Sequence, residues 1–341
     1  MAFVSGAATQ DSSLFRYSIR FILPMLIAFY LARRLTVSEC RAFVTTVLVF
    51  TCSQLLIGAM EMGGLRIAPY PSYTRSDVTF GNNITGGDHR AEAFLSHPIP
   101  FSMLIVFALF LAWTPFGPKN KVLRLLFSVA CLGGLVISGS RTGFVAVASV
   151  VLISAIGPRI SSRARGAAIA AGVIAVGVLA YSTTVQEYMS EAIAKLGNSG
   201  SYTHRSNSIS SIPQILDLRS GWDLLFGTGI GSEKRPPYVD ILNVARFTSV
   251  DNQFTSTLVW GGVVALLALA VAVGVAIIWG SSVGRGILVV LVVYMFSFDL
   301  LLWAGESVML AFGLGLAVNG FLAPGKGGFL APSKLHLGPQ D

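Results

Sequence analysis

The residues able to do chemistry in this chain are a few arginines, acids and histidines set between long apolar runs. Ser138-Gly139-Ser140-Arg141-Thr142-Gly143 places one guanidinium in a short turn, where Gly139 and Gly143 let the backbone bend tightly and approach another group closely. A lone cation between apolar stretches is costly to bury and needs a partner. A guanidinium grips phosphate through two parallel hydrogen bonds, so an anionic headgroup is one partner, and interfacial lipid phosphate is the other. Arg90 and His97 lie in the segment Gly86 to Pro98, with Asp88 and Glu92 as ordinary ion-pair partners for the arginine. Arg205 follows Tyr202-Thr203-His204 and reads equally as a solvated loop charge. Asp251-Asn252-Gln253-Phe254 opens another apolar run; either of its first two residues caps a helix, and a carboxylate there can accept a proton from a hydroxyl. Gly227-Thr228-Gly229-Ile230-Gly231 follows no strand, so it reads as a tight turn and not as a dinucleotide fingerprint. Asp299 and Glu306 interrupt apolar sequence, the kind of acid that marks a proton or ion route.

Positioning these groups falls to apolar helices. Of 341 residues 53% are hydrophobic and only 12% charged, half the usual charged share, which excludes a soluble enzyme, a disordered tail and a disulfide scaffold. Runs of membrane-crossing length predict an all-α polytopic membrane protein, a single integral membrane domain over 1–341, with nine spans near 18–33, 42–60, 98–115, 122–138, 143–158, 167–183, 254–279, 284–304 and 305–323. The short basic connections around Arg33, Lys119 and Arg159 fall on one side if the N-terminus is outside and the helices alternate. The positive-inside rule makes that side cytoplasmic, together with a tail over 324–341, and accounts for a net charge of +8 without a nucleic-acid partner. Two long polar segments then face outward, 61–97 and 184–252, the second lying between helices six and seven. Within it, Val185, Tyr188, Met189, Ala192, Ile193 and Leu196 keep helical spacing, and a second apolar pattern from Ile209 to Phe226 is interrupted by Pro213, so amphipathic helices are expected in this loop, the first of them on the outer membrane surface. The first twenty residues lack the pattern of a cleavable signal peptide. Three scattered cysteines, dispersed histidines and the lack of a paired-acid motif in the first outer loop predict no metal site and no cofactor.

Read together, these residues resemble the O-antigen ligase and O-antigen polymerase superfamily of bacterial membrane proteins. Arg90 through Pro98 is similar to the family's arginine segment entering a helix, and Ser138 to Gly143 to its Ser-x-Ser-Arg-x-Gly turn, the most specific of the set. Arg205 with the later Gly227 to Gly231 resembles the arginine and Gly-x-Gly-x-Gly of its large loop; Asp251-Asn252, with Gly261 and Gly262 beyond, resembles its His/Asp-Asn segment. The likeness covers residues 86–265. It implies a GT-C-like glycosyltransferase architecture in the bacterial cytoplasmic membrane and a metal-independent, inverting transfer of a glycan from a polyprenyl diphosphate (undecaprenyl diphosphate in bacteria) to a sugar hydroxyl on the outer face. On that reading Arg141 and Arg205 are catalytic, stabilising the departing diphosphate, and Asp251 acts on the acceptor hydroxyl; Arg90, His97, Asn252 and Gly229 help to bind the diphosphate or glycan. The implied partners are the lipid-linked donor, a glycan or lipid-linked acceptor, membrane lipids and other envelope-polysaccharide synthesis proteins. Ligases usually carry histidine at the position of Asp251, which favours a polymerase, with a ligase as the alternative. A transporter or flippase of lipid-linked sugars, using Asp299 and Glu306, is the competing class.

Overall fold

The computed structural model describes residues 12–65, 82, 84–85, 87, 89–95, 97–156, 207–234, 236–242 and 250–319. The expected span at 167–183, the amphipathic helix after 184, Arg205 and the tail at 324–341 lie outside the described residues.

Among the described residues the regular structure is entirely helical: α1 (Ser12–Arg34), α2 (Val37–Met62), α3 (Pro98–Ala112), α4 (Lys121–Ser138), α5 (Arg141–Ile156), the short α6 (Ile212–Leu218), α7 (Gly221–Phe226) and α8 (Tyr238–Ile241), then α9 (Gln253–Trp279), α10 (Ser282–Met295) and α11 (Ala304–Ala317). Three of them, α2, α4 and α9, are individually long and apolar enough to cross a membrane, and α3, α10, α11 and residues 141–151 of α5 are shorter apolar helices.

Local sequence sets where these helices begin. Thr36 and Glu39 close a capping box on α2: the Glu39 carboxylate accepts from the Thr36 N–H at 2.7 Å while the Thr36 hydroxyl accepts from the Glu39 N–H. Asn120 caps α4 by accepting from the N–H groups of Val122 and Leu123, and Ser281 caps α10. α3 starts on Pro98, whose missing N–H costs nothing in the first turn.

α3 and α10 form the centre of the bundle. Nearly every residue of α3 is buried, as expected of a helix that is apolar all round, and α10 is buried from Ile287 through Val292. α2, α4 and α5 pack around α3; α5, α9 and α11 pack around α10; α1 lies along α11. Gly315 brings the α11 backbone against that of α1, and the Asn319 amide donates to the carbonyls of Ala32 and Leu35, both at 2.9 Å. The outer faces carry Leu26, Val49, Leu56, Val129 and Val271, each more than half exposed. Apolar exposure on that scale is unlike a soluble monomer and suits lipid contact.

Two features depart from the expected spans. α9 has the anticipated length but is kinked at Gly262, whose φ of 66° and ψ of −165° lie outside the helical region. The anticipated span 284–304 is interrupted: α10 stops at Met295, and a turn followed by a 3-10 segment at Leu300–Leu302 precedes α11. The second departure lies next to the Ser138–Arg141 turn, because Tyr294 at the end of α10 bonds Ser140.

Candidate functional site

The Ser-Gly-Ser-Arg turn is built by four elements. α4 ends on Gly139, which adopts φ +62° and so releases the chain sharply towards α5. A side chain at position 139 would collide: Asn82 Oδ1 stands 2.9 Å and Arg90 Nε 3.2 Å from the point its Cβ would occupy. The Asn82 amide donates to the last carbonyls of α4, Val136 at 3.0 Å and Ile137 at 3.2 Å. From the bundle centre, the buried Tyr294 hydroxyl reaches Ser102 on α3 at 2.9 Å and also Ser140. Ser138 and Ser140 are buried, whereas Arg141 is exposed at the first position of α5. The turn thus delivers one guanidinium at a helix N-terminus, where free N–H groups and the helix dipole also favour an anion.

Arg90 is held beside that turn by residues that sequence reasoning passed over. On α2, the Glu61 carboxylate accepts from the N–H groups of Glu92 (2.9 Å) and Ala93 (3.0 Å), and Gln54 accepts from Phe94 (3.0 Å). The Ala91 N–H donates to the Ile137 carbonyl of α4 at 3.0 Å. These bonds stabilise Ala93 at φ +49°, a conformation L-residues seldom adopt. Burial, with Glu61 adding repulsion, pushes the Glu92 carboxyl up to about 7. Because the folded state holds that proton more tightly than the unfolded chain, the stability it contributes is present below pH 4.5 and is lost as pH rises through 7. Glu92 is partly exposed and screened, so the loss is about 1 kcal/mol. Glu92→Gln is expected to abolish this part of the decline, which thermal unfolding in detergent at pH 5 and pH 8 would measure. An identical pH dependence in the variant would refute it.

His97 caps α3, its Nδ1 accepting from the Ile99 N–H at 3.2 Å. Its ring packs against Phe298 (centroids 5.5 Å apart) and Trp303 (5.7 Å), the aromatic residues of the break between α10 and α11. That break is clamped by the start of α9. Gln253 Oε1 accepts from the Leu301 N–H at 2.7 Å, and the Ser256 hydroxyl donates to Asp299 Oδ2 at 2.7 Å. Non-helical backbone among apolar helices persists only where such partners or a cavity satisfy it. Asn252 is buried and caps α9, accepting from the Thr255 N–H at 3.0 Å, with the partly buried Asp251 immediately before it.

The glycine-rich stretch has a structural task. Gly262 opens the helix and frees the carbonyls of Leu258, Val259 and Trp260. The buried Arg219 donates to Leu258 and Val259, both at 2.7 Å, and to the Tyr238 hydroxyl at 2.7 Å. The N–H groups of Thr228 (3.2 Å) and Gly229 (2.9 Å) take Val259 and Trp260. Gly227, at φ +70°, and Gly262 are glycines because a Cβ on either would strike the opposing backbone, the Trp260 carbonyl in one case and the Leu225 carbonyl in the other.

One stretch of chain therefore joins the arginine turn to a kinked helix opened by an Asp-Asn pair and closed on by a Gly-x-Gly-x-Gly loop. A family model described as O-antigen ligase matches residues 126–270. This supports the O-antigen ligase and polymerase family.

The matched segment is less than half of the chain and runs from α4 through the kink of α9. No curated protein and no solved structure matches the chain. The match and the three helices long and apolar enough to cross a membrane together support a membrane protein similar to O-antigen ligases.

Arg90, His97, Arg141, Asp251 and Asn252 all lie at one end of the bundle, linked through Gly139, Tyr294, the aromatic break and Ser256. Gly229 belongs to the loop seated on α9, and Arg205 lies outside the described residues. Arg219, Glu61, Gln54 and Tyr294 were not singled out from sequence. The only signal for Arg219 was a cation within the apolar pattern from Ile209 to Phe226. Tyr294→Phe is expected to cost about 1–3 kcal/mol, the worth of the two lost hydroxyl bonds at Ser102 and Ser140. Thermal unfolding would read this loss, and a variant as stable as the parent would show that the hydroxyl does not organise the turn.

Proposed function

We propose that the chain is a polysaccharide polymerase, transferring a glycan from a polyprenyl diphosphate to a sugar hydroxyl of an acceptor at the outer face of the cytoplasmic membrane. The observation that supports this most is the arrangement at one bundle end: Arg90 packs against the turn that presents Arg141, and Asp251 heads the helix clamped to the neighbouring break.

Departure of the diphosphate builds negative charge on its bridging oxygen. Arg141 and Arg205, with Arg90 alongside, neutralise that charge as preorganised donors, so the step runs without a metal. Asp251 takes the proton of the acceptor hydroxyl, whose oxygen attacks the anomeric carbon opposite the leaving group and inverts it. His97 and Asn252 each cap a helix, His97 accepting from the Ile99 N–H and Asn252 from the Thr255 N–H, which fixes both side chains at the bundle end where the glycan would bind. Gly229 spends its N–H on Trp260, so its contribution is to seat the loop over α9. In this reading the N-terminus is outside, the C-terminus is cytoplasmic, and 184–252 is the outer loop that covers the site. Asp251 in the place of a histidine favours the polymerase over the ligase.

Purified protein given a lipid-linked repeat in detergent or vesicles is expected to form longer glycans on the lipid. Transfer only to a different acceptor, such as a lipid core, would make it a ligase. Movement of the sugar lipid across a vesicle without new glycosidic bonds would make it a flippase and overturn the enzyme reading.

A further inference from the structure

The buried acids around α9 are more numerous than the transfer step requires. Asp299 is fully buried in the break between α10 and α11; Ser256 donates to its Oδ2 and the Leu302 N–H faces the carboxyl, while Oδ1 has no partner at hydrogen-bond geometry among the described residues. Glu233, in the 3-10 turn Ser232–Lys234, is also buried; the Trp260 indole donates to its Oε2 at 2.5 Å, and its Oε1 is likewise without a partner among the described residues. Asp251 is the partly buried member, one residue before the cap of the same helix.

These acids are arranged by helical spacing. Asn252, Ser256 and Trp260 recur every four residues and therefore share one face of α9. Along that face stand Asp251 at the cap, Asp299 on Ser256 and Glu233 on Trp260. Both Glu233 and Asp251 act electrostatically on Asp299. Two carboxyl oxygens buried without a donor are a standing cost unless protons occupy the line, since a protonated carboxyl both loses its charge and becomes a donor. The carboxyls are strung along the helix, and no group of three among the described residues converges as metal ligands do. Among the described residues, the ionisable groups on the elements that meet this line include His97, packed on Phe298 and Trp303, Glu306 in the first turn of α11, Lys234 next to Glu233, Tyr238, and Arg219, whose guanidinium is committed to Tyr238, Thr228 and the α9 carbonyls.

We propose that Asp251, Asp299 and Glu233 form a proton-sharing line along α9 that receives the proton released by the acceptor hydroxyl. This rests on the transferase reading above. The acceptor O–H proton passes to the Asp251 carboxylate. The acceptor oxygen forms its bond to the anomeric carbon as the bond from that carbon to the diphosphate oxygen breaks, its electron pair leaving on the diphosphate. Asp251 then shares the proton with Asp299 and Glu233 and returns it to water between turnovers. Asp251 is the catalytic residue; Asp299 and Glu233 are positioning residues that act through it.

The test is the pH dependence of kcat/KM for glycan extension by the full chain. The native acid limb is expected to contain two coupled ionisations. Asp299→Asn, which keeps the bond to Ser256 but cannot take up a proton, is expected to collapse them to one and to lower kcat at pH 7 about tenfold, a small part of a general base's usual effect. Ser256→Ala, which keeps the acid and removes its donor, is expected to retain both ionisations. A profile in Asp299→Asn matching the native one, or a collapse in Ser256→Ala as well, would overturn the proposal and leave Asp299 a packing residue. Infrared difference spectra provide a readout independent of activity. A protonated-carboxyl band in the native protein should vanish in Asp299→Asn and shift in Asp251→Asn, and its absence from the native protein would also overturn the line. If native protein extends no glycan at all, the transferase reading fails first, and the two failures are thereby distinguished.

Discussion

Arg141→Ala is expected to lower glycan transfer by at least about 100-fold, the usual effect of removing one preorganised donor from a developing anion, while leaving folding and membrane insertion intact. The two halves of this expectation have different structural grounds. The turn is held by Gly139 at φ +62°, by Asn82 on the α4 carbonyls and by Tyr294 on Ser140, none of which uses the Arg141 side chain. That side chain is exposed, so its removal leaves no cavity and no buried group unpaired. Arg141→Lys keeps the charge but not the planar fork, and a loss of about tenfold is expected if bidentate contact to phosphate matters. Polymer length on gels, set against protein level in isolated membranes, measures both variants. Normal polymer in Arg141→Ala at parental protein level would sink the diphosphate role.

Arg219→Ala is expected to act in the opposite way, destroying the fold of this end of the molecule before any chemistry can be assayed. Its guanidinium is buried and supplies donors to Tyr238, Leu258, Val259 and Thr228. Truncation leaves the Leu258 carbonyl without its donor and reduces the hold on Val259, at the point where α9 has given up its own bonds around Gly262. Hydrogen bonds to a charged group are worth about 1.5–3 kcal/mol each, and the pair of carbonyl bonds alone therefore implies a loss of about 3–6 kcal/mol. Lysine offers three donors from a single nitrogen and cannot span the same set, so Arg219→Lys should recover only part of the loss. Thermal unfolding in detergent and protease sensitivity between residues 207 and 250 would reveal it; native-like values for Arg219→Ala would show that the loop is seated by other contacts. The contrast between the two arginines is one of burial: one is presented to a ligand, the other is used up by the protein.

How far the sequence was readable follows from the same distinction. The apolar runs at 42–60, 98–115 and 122–138 became α2, α3 and α4 with boundaries shifted by a few residues, because hydropathy and capping are local properties. The run at 284–304 did not become one helix. Phe296, Phe298 and Leu300 to Trp303 are as apolar as a span requires, and only Ser297 and Asp299 depart from the pattern. What breaks the helix there is the Gln253 side chain on Leu301 and the Ser256 hydroxyl on Asp299, partners more than forty residues away in sequence. Gly261 and Gly262 were noticed as a motif, but the kink depends on Arg219, Thr228 and Gly229 being present to bond the carbonyls it releases. Likewise the Arg90 segment was legible, while Glu61 and Gln54, the side chains that hold it, looked like the ordinary end of an apolar helix.

By itself, then, the sequence determined the helical character of the described residues, the residues of the arginine turn, the Asp-Asn cap and the likeness to O-antigen ligases over 126–270. These depend on composition, on periodicity and on short motifs whose residues are neighbours along the chain. Tertiary structure alone decided which buried groups stand together: Tyr294 with Ser140, Arg219 with the opened α9, Asp299 with Ser256 and Glu233 with Trp260. Each of those pairings satisfies a polar group that the apolar interior cannot hydrate. Such a demand is met by whatever donor or acceptor the packing brings within about 3 Å, and distance along the chain has no part in it.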